Sequence, residues 1–143
     1  MAVLRYVPTM SDNSTGPAKL LRLALAVFCA IFLFVYPLAV VWPSGWAWQP
    51  GPPHASQYFM MIVGVYATLG VFLMRASRNP QAHLSLIWFT VWSSLVHAAI
   101  MAMQAFGGGG HHTGHLWGDV PALLLVAVVL CALVPSNHGR RTS

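Results

Sequence analysis

Four long apolar runs, separated by short polar segments, dominate this chain. They cover residues 20–41, 58–74, 84–106 and 116–134. A helix of about 20 apolar residues crosses the hydrocarbon core of a bilayer, which is roughly 30 Å thick. The pattern therefore predicts an all-α integral membrane four-helix bundle, with a four-span transmembrane domain over residues 19–135. A polar, flexible tail at 1–18 and a basic tail at 136–143 flank this domain.

Proline, glycine and threonine predict local features of these runs. Pro37 predicts a kink near the end of the first helix. Several prolines and glycines between Pro43 and Pro53 predict a loop, and its tryptophans fit the boundary between membrane and water. Gly64 and Thr68 lie one helical turn apart, which predicts close packing of the second helix against a neighbour.

The composition agrees with a membrane protein. Charged residues make up 6% of the chain and hydrophobic residues 57%, whereas about 25% of residues are charged in ordinary soluble domains. The net charge is +5, but the positive residues are not gathered in an aromatic-rich patch of the kind that binds nucleic acid. The expected partner is therefore the lipid bilayer and not a nucleic acid.

The positive charges also predict an orientation. With four spans, all seven Lys and Arg residues fall on one side of the membrane: Arg5, Lys19, Arg22, Arg75, Arg78, Arg140 and Arg141. Loops on the cytoplasmic side carry such an excess of Lys and Arg. Both termini are therefore predicted to be cytoplasmic, and the loop with His111 and His112 is predicted to lie on the non-cytoplasmic side.

A polar stripe runs along the third apolar run at helical spacing. It consists of Thr90, Ser94, His97, Met101 and Gln104. Spacings of three and four residues place side chains on one face of a helix, and a polar face within a membrane turns towards other helices. His97 is interpreted in two ways, as a ligand or proton carrier, or as an interhelical hydrogen-bonding residue.

Asp119 is the one acidic residue beside an apolar run, because the other acid, Asp12, lies in the N-terminal tail. One interpretation makes Asp119 the N-cap of the fourth helix, with Pro121 in the first turn. The other makes Asp119 a metal ligand together with His97 and His115. A His/His/Asp set suits zinc, and a nearby methionine adds copper to the alternatives. Haem is a further alternative for His97.

Several segments of the chain resemble a family of small, uncharacterised bacterial integral membrane proteins. They are Trp-Pro-Ser-Gly-Trp at 42–46, Tyr-Ala-Thr-Leu-Gly-Val-Phe-Leu at 66–73, Ser-Leu-Ile-Trp-Phe-Thr at 85–90, Trp-Ser-Ser-Leu-Val-His at 92–97 and Gly-Asp-Val-Pro-Ala-Leu-Leu-Leu at 118–125. The resemblance implies a bacterial cytoplasmic (inner) membrane as the location. The layout is also similar to that of DoxX-type four-helix membrane proteins, some of which are associated with quinone-linked redox systems.

Three hypotheses about function follow. The first is a non-catalytic accessory or scaffolding subunit of a larger inner-membrane assembly, because the chain is small and shows no paired nucleophile and base and no phosphate-binding loop. The second is a redox protein that binds metal or haem through His97, His115 and Asp119. The third is a small proton-coupled carrier or channel that uses His97 and Asp119.

Overall fold

The computed structural model describes residues 16–46, 51–107 and 116–135, and helices dominate these ranges, with no strand among them. The helices are α1 (Gly16–Leu33), α2 (Val35–Val41), α3 (Pro43–Trp46), α4 (Gln57–Arg78), α5 (Leu84–Gly107) and α6 (Asp119–Leu133). Short 3-10 turns at Pro53–Ala55 and Pro80–His83 precede α4 and α5. The prediction of an all-α fold is confirmed.

Three of these helices, α1, α4 and α5, are long and apolar enough to cross a membrane. The apolar helix α6 has 15 residues, which corresponds to about 22 Å at the usual rise per residue and is less than the roughly 30 Å of a hydrocarbon core. The chain is therefore a helical membrane protein by length and composition, and its fourth apolar helix is shorter than the predicted span.

The first apolar run forms two helices, and the break between them lies at Phe34. Proline has no N–H group, so Pro37 cannot donate to the Leu33 carbonyl four residues earlier, and its ring crowds that carbonyl. The Phe34 N–H donates to the carbonyls of both Ala30, at 3.0 Å, and Ile31, at 3.1 Å. The chain is thus bent one turn before the proline that was predicted to kink it.

The long helices pack in antiparallel pairs. In α1 and α4, Phe32 stacks on Tyr66, and Ala39 at the end of α2 shares a core cluster with Phe59 at the start of α4. In α5 and α6, Ala98 and Met101 pack against Val120 and Leu123. Lys19, Arg22, Arg75 and Arg78 consequently lie at one end of the bundle, and α2, α3 and the start of α4 lie at the other.

Helices α1 and α4 approach each other closely at Gly70 of α4. A Cβ atom there would lie 3.2 Å from the Cys29 carbonyl oxygen and 3.3 Å from Leu33 Cγ. Around Gly64, in contrast, no described atom lies within 4 Å of an added Cβ, and Thr68 donates to the Gly64 carbonyl of its own helix at 2.9 Å. The prediction of tight packing at Gly64 and Thr68 is therefore wrong, because this pair faces outward.

One seam of the bundle is open. Helix α1 packs extensively on α4 and also contacts α6, while α6 packs extensively on α5. Helices α4 and α5 follow each other in the chain but touch only sparsely. The spatial order is therefore α4, α1, α6, α5, and a groove runs between the two outer helices.

Candidate functional site

The polar stripe on α5 faces the bundle over most of its length. Thr90, Ser94 and Met101 are buried and His97 is half-buried, whereas Gln104 is exposed. The Thr90 hydroxyl donates to the Leu86 carbonyl at 2.9 Å, so it is satisfied within its own helix. His97 is thus the stripe residue with a basic ring in the interior, about 20 Å along α5 from Leu84 at the usual helical rise.

His97 lies beside Tyr66 of α4. The Tyr66 hydroxyl oxygen is 3.4 Å from His97 Nδ1, and the ring centroids are 5.8 Å apart at an angle of 50°. On its other side the Tyr66 ring stacks on Phe32 of α1, with centroids 5.0 Å apart and an angle of 21°. Residues from three helices therefore hold the phenol in place next to the imidazole.

The contact between Tyr66 and His97 works with the proton on either partner. When Nδ1 carries no proton, the Tyr66 hydroxyl donates to it; when Nδ1 is protonated, the ring donates to the hydroxyl oxygen. A histidine ring changes its protonation state near neutral pH more readily than any other ordinary side chain. The pair can therefore hold a proton or pass one on without losing its hydrogen bond.

Asp119 is buried, with 8% of its surface exposed, and it is the first residue of α6. Gly118 occupies the N-cap position, and glycine has no side chain with which to cap the helix. The interpretation of Asp119 as the N-cap is therefore wrong by one residue. The carboxylate still lies in the first turn, where the positive end of the helix dipole favours negative charge, and Pro121 costs no hydrogen bond because first-turn N–H groups lack helical partners.

Asp119 lies well inside the bundle. Its neighbour Val120 packs against Ala98 and Met101 in the middle of α5, whereas α5 continues to Gly107. At the usual rise per residue, α6 begins about 9 Å short of the end of α5. The short α6 thus delivers a carboxylate to the depth of His97.

Tyr66, His97 and Asp119 line one cavity. The Asp119 carboxylate is close enough to interact electrostatically with both other side chains. The cavity volume is about 30 Å³, which is room for one or two water molecules. The remaining wall is apolar and includes Phe32 and Val126. Three proton-exchanging groups from α4, α5 and α6 therefore surround a water-sized space.

Tyr66 is the residue that the sequence interpretation missed. Tyrosines of membrane proteins are enriched at the membrane boundary, but Tyr66 lies in the middle of α4, about 14 Å from its start at Gln57. A phenol at that depth must find a polar partner, since lipid offers none. The position of Tyr66 within the second apolar run is the signal that points to it.

Two of the three predicted metal ligands lie among the described residues. His97 and Asp119 come together at the cavity, but His115 lies outside the described residues. Within the ranges 16–46, 51–107 and 116–135, no three His, Cys, Asp or Glu side chains form a group able to hold a metal ion. A metal or haem site stays a prediction, which metal analysis of the wild type and the His97→Ala variant tests.

Comparison with known proteins gives one match. A family model, described as a family of unknown function, matches residues 15–143. No curated protein matches the chain, and no solved structure does. The similarity to DoxX-type proteins therefore stays an expectation, and the comparisons indicate no function.

Proposed function

The chain belongs to this family of unknown function, DUF6632, and we propose that it is a small proton-coupled carrier or channel of a bacterial cytoplasmic membrane. Its proton-binding site is formed by Tyr66, His97 and Asp119. The observation that carries the proposal is the convergence of these three side chains, from three helices, on one water-sized cavity.

A purely structural role explains the contact between Tyr66 and His97 but not the position of Asp119. A tyrosine–histidine contact between two helices is ordinary interhelical hydrogen bonding. A carboxylate brought to the same place by a third helix is different, because an acidic side chain is costly inside a membrane and usually marks an ion or proton pathway. Asp119 beside His97 and Tyr66 supplies the set of groups that proton relays use.

The cavity also extends towards one end of the bundle. From Tyr66 it runs past Phe59 at the start of α4 to Val35 of α2 and Trp46 of α3. The four basic residues of the described ranges lie at the opposite end of the bundle, and the positive-inside rule makes that end cytoplasmic. In this four-span orientation, with both termini inside, the cavity lining extends from the proton site towards the non-cytoplasmic side.

Proton flux into liposomes tests the proposal. The purified protein is expected to dissipate an imposed pH gradient faster than empty liposomes do. The Tyr66→Phe variant keeps the ring that stacks on Phe32 but removes the hydroxyl from His97, and we expect its flux to fall about threefold, as for one lost hydrogen bond. The matched control is Tyr58→Phe, because Tyr58 lies on the same helix and is 60% exposed.

Two outcomes contradict the proposal. Wild-type protein that conducts no faster than empty liposomes, at any pH between acidic and neutral, removes the carrier or channel function. Equal losses of flux in Tyr66→Phe and Tyr58→Phe would mean that the phenol at position 66 has no special place in the pathway.

An accessory subunit is the second candidate, and two tryptophans on α5 favour it. Trp88 and Trp92 are 39% and 62% exposed and lie one turn apart on one face. Trp92 is about 12 Å inside the helix, deeper than the boundary where membrane tryptophans usually lie. A buried position for this face against another membrane subunit explains that depth.

Purification in mild detergent from the native membrane tests this candidate. Other membrane subunits are expected to co-purify in stoichiometric amounts, and the Trp92→Leu variant is expected to lose them. The Trp117→Leu variant serves as the control, since Trp117 is also exposed but lies before α6. Isolation of the wild type as a monomer or homo-oligomer alone would count against an accessory role.

A further inference from the structure

The groove between α4 and α5 reaches two of the three residues of the proposed proton site. A cavity of about 220 Å³ in this groove is lined by Tyr66 and His97 at its inner end and by Val65, Leu69 and Phe89 along its sides. Tyr66 and His97, together with Ile62, line both the inner cavity and this outer one and separate the two. The outer cavity opens along the seam where the two helices barely touch.

Ser94 adds a hydroxyl group to the lining of the groove. The hydroxyls of Thr90 and Ser93 on α5, and of Thr68 on α4, donate to carbonyls of their own helices. Ser94 is 3% exposed and lines the groove cavity, yet no described residue forms a hydrogen bond with its hydroxyl. The Ser94 hydroxyl is therefore a polar group that a molecule in the groove can reach.

The other residues that line the groove indicate which kind of molecule it can bind. Beyond the cavity the groove continues along Val65, Leu69 and Phe89 to Phe72 and Leu86. From Met61 to Phe72 it follows α4 for about 16 Å at the usual helical rise. The described residues that line it carry no Asp, Glu, Lys or Arg. A long apolar chain fits this surface, and a charged head group does not.

We propose that the groove between α4 and α5 binds a neutral amphiphile from the bilayer, with its hydroxyl or carbonyl head at Ser94 and His97. The apolar chain lies along Val65 and Phe89 towards Phe72. The head reaches the outer face of the Tyr66–His97 pair, opposite the inner cavity. This inference goes beyond the proposed function and does not depend on it, since binding is measured without a pH gradient and without proton flux.

Photolabelling in nanodiscs tests the binding of such an amphiphile. The probe is a long-chain fatty alcohol with a diazirine in its chain, and mass spectrometry maps the labelled peptides. Labelling is expected on α4 and α5, with competition by the unlabelled alcohol but not by the alkyl sulfate of the same chain length. In Ser94→Ala, competition by the alcohol is expected to weaken about three- to tenfold, as for one lost hydrogen bond.

A pair of matched variants distinguishes the groove from the general lipid-facing surface. Val65→Trp fills the groove and is expected to abolish labelling of α5. Val71→Trp is the control, because it places the same bulk on the same helix at a residue of similar exposure. Val65 is 67% and Val71 61% exposed. The Val71→Trp variant is expected to leave labelling unchanged.

Two results overturn the inference. One is labelling spread evenly over α1, α4, α5 and α6 that Val65→Trp leaves unchanged. The other is occupation of the groove by a second copy of the chain. In that case the wild type is a dimer in nanodiscs, Val65→Trp is a monomer, and the alcohol probe does not label the groove in either.

Discussion

The His97→Gln variant is expected to lose proton flux in liposomes by about a hundredfold or more, the scale on which a positioned proton-exchanging group acts. Glutamine retains a polar amide on a side chain of similar length next to Tyr66, whose hydroxyl oxygen is 3.4 Å from His97 Nδ1. It does not gain and lose a proton near neutral pH, as an imidazole does. The substitution therefore removes the exchange of protons while preserving polarity.

The matched control for this variant is His83→Gln. His83 belongs to the turn Pro80–His83 at the basic end of the bundle, and it does not line the cavity that contains His97. Its flux is expected to equal that of the wild type. A His97→Gln protein that folds normally and conducts like the wild type would show that His97 is an interhelical hydrogen-bonding residue only.

The Gly70→Val variant is expected to destabilise the bundle by about 1–3 kcal/mol, the usual cost of overpacking a well-packed interior. The nearest obstacle to a side chain at Gly70 is the backbone oxygen of Cys29, 3.2 Å from the added Cβ. A backbone atom cannot rotate out of the way, so α1 and α4 have to separate. Thermal unfolding in detergent, followed by circular dichroism, measures the loss.

The same substitution at Gly64 is the control, because an added Cβ there meets no described atom within 4 Å. Gly64→Val is expected to unfold at nearly the wild-type temperature. If Gly64→Val were the more harmful of the two, the tight contact between α1 and α4 at Gly70 would be wrong, and close packing at Gly64 and Thr68 would regain support.

Hydrophobic periodicity predicts the helices and the inward face of α5, because both follow from local spacing along one helix. Thr90, Ser94, His97 and Met101 turn inward as their three- and four-residue intervals require. Gln104 follows the same interval but is exposed, since α6 begins too far down the bundle to cover it. Spacing defines a face, and the length of the neighbouring helix decides how much of that face is buried.

The partners across helices do not follow from local spacing. Tyr66 meets His97 from 31 residues away, and it lies one helical turn from the close approach of α4 to α1 at Gly70. The depth of Asp119 depends on where α6 begins. Because Gly118 takes the N-cap position, Asp119 is the first residue of the helix, and its side chain faces the cavity. The sequence therefore names two of the three site residues but not their arrangement.

The most direct measurement is the protonation of His97 itself, observed by solid-state NMR of labelled histidine side chains in bilayers as the pH is changed. The His97→Gln variant assigns the signal, and the exposed His54 is the internal reference. We expect the His97 signal to change with pH. We expect Asp119→Asn to shift the pH at which half of this change has occurred, and Tyr58→Phe to leave that pH unchanged. A His97 signal that stays constant from acidic to weakly alkaline pH would contradict a proton-binding site at Tyr66, His97 and Asp119.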